Sequence, residues 1–181
     1  QRIILLHCSV FITFGLFAQG PYAPPAGQSG STAIHKDSSI VVAWASGCTI
    51  NRGLQDLSNP ALGNATVGSD ADAIGKSGEH GIVSLGDGGS AVLTFDAPII
   101  NGTGPDFAVF ENSFDGLFLE LAFVEVSSDG VHYFRFDAIS LTPTTTQTLG
   151  FEYTDATNLY NLAGKYQSGY GTPFDLDELT G

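Results

Sequence analysis

The chain has 181 residues, 43% of them hydrophobic, with 23 Gly, 8 Pro and no Met, which is enough for one domain with a real core. Nineteen acidic residues against six basic ones give a net charge of −13. That charge repels phosphate backbones and argues against a nucleic-acid partner. The acids form no charge block; they are scattered, as on a solvated surface or around divalent cations.

Residues 1–18 open with Arg2, run apolar from Ile3 to Phe17 and end on Ala18. This is the pattern of a secretory signal peptide cut after Ala18, and it is short for a membrane span of ~20 residues. A secreted or extracellular cell-surface location is therefore expected. Cleavage leaves Cys48 as the only cysteine, read as a small buried hydrophobe. Residues 19–39, rich in Pro, Gly and Ser, read as a flexible lead-in.

From Ile40 short apolar runs alternate with Gly, Asp and Asn. Strands are expected at 40–46, 81–85, 90–96, 106–111, 118–127 and 131–137, each rich in β-branched and aromatic residues. "LGDGGSAVLTF" reads as strand, turn, strand. "VEVSSDGVHYF" reads as a hairpin, because Asp129-Gly130 suits the positive φ of a tight turn. Both faces of 118–127 are largely apolar, which suggests a central strand covered on both sides. Residues 50–76 read as a long loop with a short helix near 70–75. Residues 154–170 read as one or two helical turns capped by Asp155, with Tyr160, Tyr166 and Tyr170 as an exposed contact surface. Trp44, inside "VVAWA", reads as core. The expected fold is all-β, an antiparallel β-sandwich of jelly-roll type over residues 40–181. "PFDLDELTG" stops without a closing strand, so further strands are expected beyond it.

The candidate chemistry lies in the acids. Strand alternation puts Glu111 on a face with Phe107 and Val109, Glu120 with Ala122, Val124 and Val126, and Glu125 with Leu121 and Phe123. A buried carboxylate must be protonated, paired or metal-bound. Arg135, on the neighbouring hairpin strand, is the obvious partner for one of them. Calcium takes six to eight hard oxygens, and Asp87, Asp106, Glu111, Asn112 and Asp115 are the candidate ligands, most of them near glycines. No EF-hand spacing is present. A glycosidase would need two carboxylates ~5–5.5 Å or ~6.5–9.5 Å apart, and Glu111, Glu120 and Glu125 are the candidates for that alternative. His35, His80 and His132 are too dispersed for zinc, and the chain has no Gly-x-Ser-x-Gly elbow or phosphate loop.

"SLGDGGSAVLTF" and "GPDFAVFENSF", with "AWASGCTINRGLQDLSNPALG", "LELAFVEVSSDGVHYFRF" and "ATNLYNLAGKYQSGYGTPFDL", resemble secreted cell-surface proteins of Bacteroidetes. The resemblance covers roughly residues 40–181. It implies a β-sandwich that commonly continues into a type IX secretion sorting domain. More distantly, the chain is similar to surface components encoded with cobalamin-uptake systems, which implies ligand capture at the outer membrane and a surface partner there. The expected function is a non-catalytic module that binds a carbohydrate or small molecule or displays a surface, stabilised by Ca²⁺. The alternatives are a carbohydrate-active enzyme and a structural adhesin module.

Overall fold

Strands form where β-branched and aromatic residues meet a partner of matching register. In chain order they are β1 (Ile34–His35), β2 (Gly47–Asn51), β3 (Ser90–Thr94), β4 (Phe107–Phe110), β5 (Glu125–Val126), β6 (Phe134–Arg135), β7 (Ile139–Ser140), β8 (Leu159–Tyr160) and β9 (Tyr170–Phe174). The computed structural model describes residues 19–143, 145 and 152–179. The expected signal peptide over 1–18 lies outside them. Every strand pairing is antiparallel. The strands make four small sheets: β1-β9-β4, β2-β3, β5-β6 and β7-β8. The described residues contain no α-helix, only 3₁₀ turns at Pro60–Leu62, Asp70–Ala73, Ala156–Asn158 and Leu176–Leu179. The chain is thus a mostly β protein built of several small antiparallel sheets. Among the described residues no helix is long and apolar enough to cross a membrane.

Local pattern located β3, β4 and the β5–β6 hairpin. In that hairpin Gly130 takes φ +71°, and Asp129 Oδ1 accepts the N–H groups of Val131 and His132, both at 2.8 Å. The expected strands at 40–46 and 81–85 do not form. Trp44 does pack inward, 5.0 Å from the Phe110 ring, but Val42 is 91% exposed and the ladder to β3 begins only at Gly47, opposite Thr94. Residues 81–85 spend their backbone groups on loops: Ser84 N–H donates to Val67 O and Leu85 O accepts from Gly53. Arg52 straps the same loops, donating to the carbonyls of Val67, Ser84 and Gly68. The "LGDGG" turn is real, with Gly89 N–H donating to Gly86 O, but β3 pairs with β2 rather than with 81–85. Strand propensity gives way here to the tertiary partners available.

Residues 118–127 also differ from expectation. Only Glu125–Val126 forms a strand, with one further bridge at Ala122–Ala163. Val124 faces the core, while Phe123 is 62% exposed, so the outer face is uncovered.

β9, the middle strand of the three-stranded sheet, had no sequence signal. "YGTPF" carries a glycine and a proline, which mark breaks in most strands. Both are accommodated. A Cβ on Gly171 would stand 2.9 Å from the Phe110 ring, so a glycine is needed there. Pro173 lies beyond the two residues that pair with β1 and is flanked by β4 alone.

The core is aromatic. Phe174 and Phe136 are buried beside Val124 and Ala163, and Phe107, Val109, Leu176 and Leu179 pack around them. The rings of Phe107 and Phe174 stack at 5.3 Å, and those of Phe136 and Phe174 lie 5.1 Å apart. The expected turn at 156–158 forms, and Asp155 caps it by accepting from Thr157 N–H at 2.8 Å. Of the three tyrosines expected on an exposed surface, Tyr160 is exposed and Tyr170 half-buried, but Tyr166 is not part of it. Tyr166 is 1% exposed, and its hydroxyl finds the partner a buried phenol requires in Thr32, at 2.8 Å.

That contact also ties down the 19–39 lead-in. Gly20 and Tyr22 N–H groups donate to Thr157, Tyr22 stacks on Tyr160 at 5.3 Å, and β1 joins the sheet. The half-buried Cys48 thiol is pushed up chiefly by burial, so it remains protonated near neutral pH.

Candidate functional site

The loop that begins where β4 ends is organised by Ser113, which is fully buried. Its N–H donates to Glu111 Oε2 at 2.7 Å, and its single hydroxyl proton is shared between Asp115 O, at 2.8 Å, and Phe118 O. Its carbonyl accepts from Ser168 N–H at 2.9 Å. Residues 111–118 are therefore folded back on themselves and pinned to the segment before β9.

From there the chain runs to Glu120, and the Ala122–Ala163 bridge, with N–H···O distances of 3.1 and 3.0 Å in its two directions, draws this stretch against Gly164. A Cβ on Gly164 would lie 1.8 Å from Glu120 O and 3.4 Å from Glu111 Cγ. Gly164 therefore lets two stretches that each carry a glutamate pass close to one another, the Glu120 carbonyl and the Glu111 side chain both lying against it. Glu111 is half-buried and Glu120 exposed. The Glu111 carboxyl is pushed up to about 7, first by burial and then by the neighbouring Glu120 charge. The N–H groups of Asn112 and Ser113 pull in the opposite direction. Burial disfavours the charged form, so the Glu111 carboxyl keeps its proton to higher pH than a free one does.

The other expected calcium ligands make loop hydrogen bonds. Asp87 Oδ2 accepts Leu57 N–H at 2.9 Å. Asp106, at the opposite end of β4 from Glu111, accepts Gly102 N–H at 2.6 Å and Leu176 N–H at 2.8 Å. Asp115 Oδ1 accepts the N–H groups of Leu117 and Phe118 at 2.8 and 2.9 Å, and these hold its carboxyl below the usual range. Asn112 contributes its backbone N–H to Glu111. Among the described residues no group of three or more His, Cys, Asp or Glu side chains is arranged to hold a metal ion.

Glu125 takes the expected partner. Its Oε1 accepts from Arg135 Nε and NH2, both at 2.7 Å, and the guanidinium lies 4.6 Å from the Phe123 ring centroid. All three lie on the exposed outer face of the β5–β6 ribbon, far from carrying a buried charge.

Three residues important to this region had no sequence signal: Ser113, Gly164 and Lys165. Lys165 is 4% exposed. Its Nζ donates to Leu159 O at 2.5 Å and lies 5.9 and 5.7 Å from the Tyr22 and Tyr166 rings. Burial pushes it down to about 8. The only cue was "AGK", a glycine of positive φ before a lysine, which resembles many solvated turns.

A second feature is an open apolar groove of about 320 Å³ lined by Leu121, Ala122, Phe123, Ala138, Ser140 and Leu162.

No family model matches the chain, and neither the curated proteins nor the solved structures contain a match to it.

Proposed function

We propose that the chain is a non-catalytic β module, secreted or held at the cell surface, that binds a small-molecule or carbohydrate ligand there. Its small sheets are read as parts of an antiparallel sandwich of jelly-roll type. The observation that carries the binding role is the apolar groove beside Phe123. Its lining is mostly apolar, as the linings of small-ligand sites are. Ca²⁺ is assigned a stabilising role with Glu111, the half-buried carboxyl of the expected ligand set, as its anchor. A bound cation would favour the ionised form of that carboxyl.

The hydrolase alternative needs two free carboxyls ~5–5.5 Å or ~6.5–9.5 Å apart. Glu125 is neutralised by Arg135.

Calorimetric titration of oligosaccharides and apolar small molecules is expected to give saturable binding by at least one class. Ser140→Arg, which sends a long side chain across the groove, should abolish it. A panel with no binder, or binding indifferent to Ser140→Arg, contradicts the reading. For calcium, the melting temperature is expected to rise on replacing EDTA with Ca²⁺, and Glu111→Gln should remove the rise. An unchanged wild-type melt rejects the ion.

A further inference from the structure

Asn101-Gly102 is the one Asn-Gly step in the chain. It lies exposed in the loop before β4, framed by two carboxylates. Gly102 N–H donates to Asp106 Oδ1 at 2.6 Å, and Asn101 Nδ2 donates to Asp177 Oδ1 at 2.7 Å. The Gly102 backbone is otherwise open: the nearest atom a Cβ there would meet is Asp106 Oδ1, at 3.4 Å.

We propose that Asn101 is a self-modification site at which Gly102 is the nucleophile and Asp106 the proton acceptor. The Gly102 nitrogen attacks Asn101 Cγ, forming an N–Cγ bond and breaking the Cγ–Nδ2 bond. The proton lost from Gly102 passes to the Asp106 carboxylate, which already accepts a hydrogen bond from it. The leaving nitrogen takes up a proton from water and departs as ammonia, and the hydroxide left behind recovers the proton held by Asp106. Water then opens the succinimide at one carbonyl or the other, giving aspartate or isoaspartate. No oxidant or reductant is needed.

The product reverses the chemistry of a tertiary contact. Where an amide donated to Asp177, a carboxylate now faces a carboxylate, and a hydrogen bond becomes a repulsion. Asp177 belongs to the turn Leu176–Leu179, whose two leucines pack on the aromatic core. Asp106 bridges the same two regions, since its Oδ2 accepts Leu176 N–H. Modification at Asn101 therefore loosens the attachment of that turn.

The test is to age the full chain in mildly alkaline buffer, folded and in urea, and to follow residue 101 by peptide mass mapping with enzymatic isoaspartate labelling. The folded protein is expected to convert at least as fast as the unfolded one. Asp106→Asn is expected to slow the folded rate about tenfold or more, as loss of a positioned base does, and to leave the urea rate unchanged. Folded wild type converting more slowly than unfolded overturns the proposal. So does an Asp106→Asn protein that melts like wild type and converts at the same folded rate. Because the first comparison uses wild type alone, it decides the matter even if the variant fails to fold.

Discussion

Gly164→Ala is expected to be the most damaging single change where the Glu111 and Glu120 stretches pass, costing about 3 kcal/mol or more. Two costs add. Gly164 has φ +78°, a left-handed conformation that charges an L-residue ~1–2 kcal/mol. The new methyl would also stand 1.8 Å from Glu120 O, and a backbone carbonyl cannot swing away as the end of a side chain can. Relief requires moving the strand held by the adjacent Ala122–Ala163 bridge. Gly169→Ala is the matched control: its φ is +84°, but nothing lies within 4 Å of its Cβ position. It should lose only the conformational term. Urea denaturation of both variants measures the difference, and equal losses would show that Gly164 is not a point of close approach.

Glu111→Gln is expected to stabilise the protein above pH 7 by on the order of 2 kcal/mol and to do little in acid. The direction follows from the shift. Folding raises the Glu111 carboxyl from 4.5 to about 7, so between those values the folded state holds a proton that the unfolded chain has released. That contribution is complete below pH 4.5 and is lost as pH rises through 7. Glutamine mimics the protonated acid, and its Oε1 still accepts Ser113 N–H, so the variant escapes the loss. Partial exposure of Glu111 screens the effect, which keeps the figure below the full value of the shift. Urea melts across pH should show the two stability curves converging in acid and separating toward pH 7. Parallel curves would mean that folding does not raise the Glu111 carboxyl.

Much of the β character was legible because it is local. Ser90–Thr94 and Phe107–Phe110 are runs of apolar residues between glycines or turns, and Asp129-Gly130 closes its hairpin with its own side chain. The 40–46 and 81–85 runs have the same composition but no strand to pair with, and composition does not reveal a partner. β9 was hidden for the opposite reason. Gly171 and Pro173 look like breakers, and only the Phe110 ring and the one-sided pairing explain them. The acids followed the same logic. Glu111 stood out as a carboxylate ending an apolar strand, and Glu120 through alternation with Ala122, Val124 and Val126. The approach of their two stretches depends on Ala163 and Gly164, more than forty residues further along the chain, so no spacing in the sequence could announce it. Asp87, Asp106 and Asp115 looked like ion ligands because glycines flank or approach them. The same glycines make tight turns, and in this fold each of these carboxylates accepts backbone N–H groups.

The account rests on Glu111 being a carboxyl that stays protonated beside a second glutamate. The most direct test is an NMR titration of its side-chain carboxyl carbon in the full chain. Its burial predicts a midpoint near 7, moved to lower pH by added Ca²⁺. A midpoint at the ordinary value of 4.5 would contradict it.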